Sequence, residues 1–179
     1  MPATQGPRGR SMRDISCYYK QSLGKVLSIH QEQDTMIINF KRIFVIAIYV
    51  EPLTPIEELI ATIMSARGQV APGRDIILAR DLNCELDNAN YRAKELMELM
   101  TEEGFILVNK AEDRTYVAQS GSSTIDLIFF KDHNIMLMNY SVCYATEEVM
   151  IKKHCPVLAH FNVTKMERRE KYEDTHTSR

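Results

Sequence analysis

Asp81 and Asn83 stand two apart, directly after the apolar run Asp75 to Ala79 (DIILA). Where a buried strand gives way to a polar turn, the strand fixes a side chain while the loop leaves it accessible. At this spacing an aspartate and an asparagine bring an anionic oxygen and an amide near one point, which suits a hard cation and a phosphate oxygen. The same Asp-x-Asn is also ordinary turn chemistry. Asp126 lies inside the otherwise apolar run Ser123 to Phe129 (STIDLIF). Burying a carboxylate is costly unless its charge is met. A histidine, a metal or backbone donors therefore belong beside Asp126, unless its strand is at a sheet edge and the carboxylate faces water. His154 opens the last apolar run, in Lys152-Lys153-His154-Cys155-Pro156-Val157, where a histidine serves either structure or proton transfer. Tyr49 closes the most apolar segment of the chain, with a ring to pack and a hydroxyl for whatever site lies there.

These residues need a scaffold, and the hydrophobic pattern supplies one. Segments of strand length run from Ile15 to Lys20, Val26 to His30, Met36 to Phe40 and Ile43 to Val50. The last of these, IFVIAIYV, is β-branched and apolar on both faces, as in a central strand covered on both sides. Thr54-Pro55-Ile56-Glu57 predicts a helix start, with Thr54 as N-cap, Pro55 at the first helical position and Glu57 three residues after the cap. Ile56, Leu59, Ile60, Ile63 and Met64 then share a face, and Gly68 can end the helix in the left-handed conformation. Asp75 to Ala79 reads as a buried strand. Asn88 or Asn90 can cap a second helix with Ala93, Leu96, Met97, Leu99 and Met100 inward and Gly104 as its stop. Strands follow at Phe105 to Asn109, Thr124 to Phe130, Met136 to Ala145 and Val157 to Val163. This order predicts an α/β layered sandwich rather than a helical bundle or a pure β-barrel.

Composition bounds the rest. The 179 residues carry a formal net charge of −2, so no strong field draws the whole chain to a polyanion, and any nucleic-acid contact must be local. Cys17, Cys84, Cys143 and Cys155 form neither a C-x-x-C pair nor a dense disulfide pattern. The first twenty residues hold no apolar signal region, and nowhere do about eighteen apolar residues run together as a membrane span needs. The expectation is a reducing setting, nuclear or cytoplasmic, without a membrane partner. Residues 1–10 are polar with Pro, Gly and Arg and are expected to be a disordered arm. One domain is expected over 11–163, followed by a charged tail, 164–179.

Tyr49 at a strand end, a capped helix, Asp81-Leu82-Asn83, Thr115-Tyr116, Ser123-Thr124-Ile125-Asp126 and His154-Cys155-Pro156-Val157 occur in that order. The series resembles the endonuclease/exonuclease/phosphatase superfamily, and within it the endonuclease domain of non-LTR retrotransposons of the insect R1 and jockey type. The resemblance runs from about Ser11 to Val163, and its most specific part is Gly121-Ser122-Ser123-Thr124-Ile125-Asp126. It implies a DNase I-like, four-layer fold, a two-sheet β-sandwich flanked by helices. It also implies Mg²⁺- or Mn²⁺-dependent cleavage of phosphodiesters, with DNA as substrate. On the family's Gly-Asp-Phe-Asn, Asp81 would act on the water nucleophile and Asn83 would contact phosphate. Asp126 would orient the catalytic histidine or bind the metal. His154, on the family's Ser-Asp-His, would stabilise charge on the phosphate in the transition state. Thr115 and Tyr49 would line the site against substrate.

The departures from that pattern carry expectations too. The family's domain opens with strands bearing a metal-binding asparagine and glutamate, and this sequence is expected to lack those strands. Glu32 and Glu51 are the nearest acidic residues but lie outside the family's context. A divalent metal should therefore bind weakly. Lys153 stands where the family has aspartate, and Arg80 where it has glycine, with strain if that position needs positive φ. Hydrolysis is expected to be impaired or lost. The alternative is a non-catalytic module that binds nucleic acid through Arg80, Lys152 and Lys153, or binds a protein or a second copy of itself through exposed strand edges. A zinc site from Cys84, His154 and Cys155 matches no zinc-ligand spacing.

Overall fold

The computed structural model describes residues 15, 25–32, 34–86, 91–131, 135–144 and 153–163. Three strands open it: β1 (Val26–Glu32), β2 (Thr35–Phe40) and β3 (Ile43–Ile48). The chain continues through helix α1 (Ile56–Gly68), β4 (Asp75–Asp81), helix α2 (Tyr91–Glu102) and the short β5 (Ile106–Leu107). Then come β6 (Tyr116–Ala118), β7 (Gly121–Ser123), β8 (Asp126–Lys131), β9 (Ile135–Val142) and β10 (Val157–Val163). One six-stranded sheet has the order β1-β2-β3-β4-β8-β5, and β9 with β10 and β6 with β7 form two-stranded sheets. β3 and β4 are parallel across the α1 connection, and the other pairs in the large sheet are antiparallel.

Alternation along the strands divides the interior into two layers. On β3, Phe44, Ile46 and Ile48 face α1 and α2, where they meet Leu59, Ile63, Leu96 and Met100. Ile43, Val45 and Ala47 face the other way, into a cluster closed by Leu137, Ala159, Phe161 and Val163 of β9 and β10. Phe130 of β8 meets Phe161 of β10 edge to face with ring centroids 5.4 Å apart. Helices, large sheet and small sheet therefore stack as an α/β sandwich, the class that the order of elements predicts. Emptying Leu59, which is fully buried, would cost about 2–5 kcal/mol.

Several local expectations change. The N-cap of α1 is Pro55, without a side-chain cap hydrogen bond, so the Thr54 hydroxyl does not close the helix start. Gly68 ends α1 inside the helix, and Gln69 caps it in a right-handed conformation. Met64, expected inward, is exposed. Gly104, by contrast, takes φ +73° after α2, and Phe105 N–H closes onto the Met100 carbonyl at 2.8 Å. The strand expected over Phe105 to Asn109 pairs only at Ile106 and Leu107. Asn109 takes over the ladder with its side chain: its Nδ2 donates to the Asp126 carbonyl at 3.1 Å and its Oδ1 accepts from Ile128 N–H at 2.8 Å. The strand at 16–20, the Asn88 and Asn90 caps, the arm at 1–10 and the tail at 164–179 lie outside the described residues, as does Lys152.

Candidate active site

The last rung of the β4–β8 ladder pairs Asp81 with Asp126. Directly opposed residues of antiparallel strands project to the same face, and Asp126 shares its face with Ile128 and Phe130, toward the small sheet. Asp81 is held by its surroundings: Val50 N–H donates to its carbonyl at 3.2 Å, and its Oδ1 accepts from Asn83 N–H at 3.0 Å. Asn83, with φ 45°, sends its Nδ2 to the Val50 carbonyl at 2.6 Å. The Asp-x-Asn turn thus closes on itself and latches the end of β4 to the loop after β3.

Asp126 is fixed from two sides. The Thr115 hydroxyl oxygen accepts from the N–H groups of Ile125 at 3.0 Å and of Asp126 at 2.9 Å, and Asn109 holds the Asp126 carbonyl. Thr115 is fully buried, so its side chain positions the strand and does not line an open site. Its own carbonyl accepts from Cys155 N–H at 2.7 Å, which brings the start of β10 beside the start of β8. Tyr116 bridges to His154 across the backbone and meets its ring edge-on at 5.0 Å between centroids. The result is a hydrogen bond of 2.8 Å between His154 Nδ1 and Asp126 Oδ2.

Asp81, Asp126 and His154 thereby bring one ligand-capable atom each within 4.8 Å of one another. Burial, and then the like charge of Asp126, push the Asp81 carboxyl above the usual carboxylate range, against the pull of Asn83 N–H, His154 and Arg80. A cavity of about 250 Å³ opens beside the pair, with Arg80, Asp126, Ile128, His154, Cys155 and Pro156 in its wall. Arg80 takes φ 138° and Lys153 φ 74°, both in the region that favours glycine.

Tyr49 is not in that wall; it packs against the cluster between the sheets. Glu32 pairs with His30 on β1 at 3.0 Å, and Glu51 is exposed. Cys84 is fully buried on the helix side, where burial pushes its thiol up to about 11. Among the described residues no cysteine joins His154 in a metal-capable group. Asn109 was not among the candidates; a buried amide just after a short apolar run was the available signal.

Residues 43–158 match the family model described as endonuclease-reverse transcriptase. The chain belongs to that family. The chain is similar in fold to the endonuclease domain of TRAS1, a telomere-specific non-LTR retrotransposon. The TM-score is 0.58 at 19% identity, over 78% of this chain and 70% of that one. An AP endonuclease from Archaeoglobus fulgidus gives 0.58 at 14% identity, over 73% and 66%. A 3′ phosphatase from Neisseria, bound to a product DNA hairpin, gives 0.57 at 12% identity, over 77% and 72%. No curated protein matches the chain. The domain thus has an endonuclease/exonuclease/phosphatase fold, and among its described residues no helix is long and apolar enough to cross a membrane.

Proposed function

We propose that this domain engages phosphodiester groups of nucleic acid at Asp81, Asp126 and His154 and hydrolyses them slowly in the presence of Mg²⁺ or Mn²⁺. The observation that carries this reading is the 2.8 Å Asp126–His154 pair set beside Asp81 at one strand end. Hydrolysis needs a water oriented toward phosphorus and stabilised charge on the phosphoryl oxygens. Asp81, whose surroundings favour the protonated form, is suited to accept the proton as water attacks and the ester P–O bond breaks. Asp126 holds His154 through Nδ1, which fixes the tautomer and leaves Nε2 to donate to a phosphoryl or leaving oxygen once the ring is protonated. Two carboxylates in contact range fit a hard divalent cation, with water completing its shell. Bound there by Asp81 and Asp126, it would supply Lewis acidity at a phosphoryl oxygen.

The rate should be low. The Arg80 backbone beside Asp81 is strained. Incomplete catalytic units lose most of their rate. Nicking of supercoiled plasmid tests the reading: metal-dependent product is expected from the wild type and a loss of at least about 100-fold from Asp81→Ala and His154→Ala. Equal background in all three, with or without metal, rejects hydrolysis and leaves the alternative, a non-catalytic module that binds nucleic acid or protein. The domain itself is proposed to span 11–163, so limited proteolysis should trim the chain to about those bounds.

A further inference from the structure

Arg80 precedes Asp81 with φ 138°, a conformation open to glycine and strained for any residue with a Cβ. Strain of this kind persists where the surroundings impose it, and it gathers at ligand sites. Arg80 lines the cavity of about 250 Å³ beside His154, a space more than ten times the roughly 15 Å³ that one water requires. Among the described residues the Arg80 guanidinium makes no hydrogen bond or ion pair, and its charge reaches Asp81 only through space. Asp126 pairs with His154 through Oδ2 and not with Arg80. A guanidinium carries five donors in a planar fork and no acceptor, so here it presents an unfilled donor set matched to an oxyanion. Arg80 thus offsets part of the negative charge of Asp81 at the cavity where an anion would enter.

We propose that Arg80 binds a backbone phosphate of nucleic acid in this cavity, its fork on the two non-bridging oxygens, so that the chain's own cation supports binding without a divalent metal. The ligand class rests on the phosphodiester reading above; the metal independence does not. The test is fluorescence anisotropy with a labelled DNA duplex lacking terminal phosphates, in EDTA, over a salt series. Arg80→Gly should lower affinity about tenfold and reduce the slope of log K against log salt by about one. Its melting temperature should rise by a few degrees as the backbone relaxes. Arg80→Lys should keep the salt slope and lose part of the affinity, because a point charge replaces the fork. Unchanged affinity and slope in Arg80→Gly overturn the proposal, as does a wild type that fails to bind the duplex in EDTA. Metal-dependent nicking alongside unchanged Arg80→Gly binding sinks this inference and spares hydrolysis. Arg80-dependent binding without nicking does the reverse.

Discussion

Asp81 stands in surroundings that disfavour its charge. Burial and the neighbouring Asp126 raise its proton affinity in the folded state above the ordinary value of 3.8, so folding favours the neutral carboxyl. Stability from this group is therefore present at low pH and is lost as pH rises from the unfolded value through the raised native one. Asp81→Asn keeps an oxygen to accept from Asn83 N–H and removes the charge. It should melt a few degrees above the wild type at pH 7, and the difference should shrink toward pH 4, as read by circular dichroism. A variant that melts below the wild type at pH 7 would show that Asp81 carries a charge that the fold uses. Mg²⁺ or Mn²⁺ should raise the melting temperature of the wild type and leave Asp81→Asn unmoved, because a cation bound at two carboxylates stabilises the folded form by mass action.

Among the elements, β8 carries the site and depends on side chains for its pairing. Thr115→Val would leave the N–H groups of Ile125 and Asp126 without their acceptor, at about 1–3 kcal/mol each. Urea denaturation should show a loss of about 2–4 kcal/mol, while Thr115→Ser, which keeps the oxygen, should lose under about 1.5. Asn109→Leu would remove both arms of the side-chain ladder on β8 and should cost a similar 2–4 kcal/mol. These dependencies mark what the sequence hides. β3, β4 and α1 were legible because a strand buried on both faces and a helix with a periodic apolar stripe write their burial into residue type. Asp81, Asp126 and His154 were legible as strand-end polar residues in a familiar order. Register was not: that Asp81 opposes Asp126, or that Asn109 replaces a backbone strand, depends on pairing between segments distant in the chain. The caps of α1 were not legible either: Gln69, in a right-handed conformation, closes the helix with its own N–H on the Ala66 carbonyl, so Gly68 stays inside the last turn.

At the scale of the molecule, the large sheet ends, among the described residues, at β1, a seven-residue strand with exposed Leu27 and Ile29. A long edge with apolar side chains is a template for pairing with another chain. Concentration-dependent association should follow, measurable by light scattering, and Ile29→Lys should suppress it with little change in melting temperature. Association that persists in Ile29→Lys would move the contact elsewhere, and the exposed Met136, Met138 and Leu158 of the small sheet are the next surface to vary.

The Asp81–Asp126 rung has one more effect, on how readily its own seam opens. Two carboxylates 45 positions apart in sequence are held on directly opposed residues, so their repulsion acts while the strand ends are paired and is relieved when they part. Acidification should therefore slow local opening of this seam, and amide exchange at Leu82, whose N–H is held by the Ile125 carbonyl at 3.1 Å, would report how often it reopens.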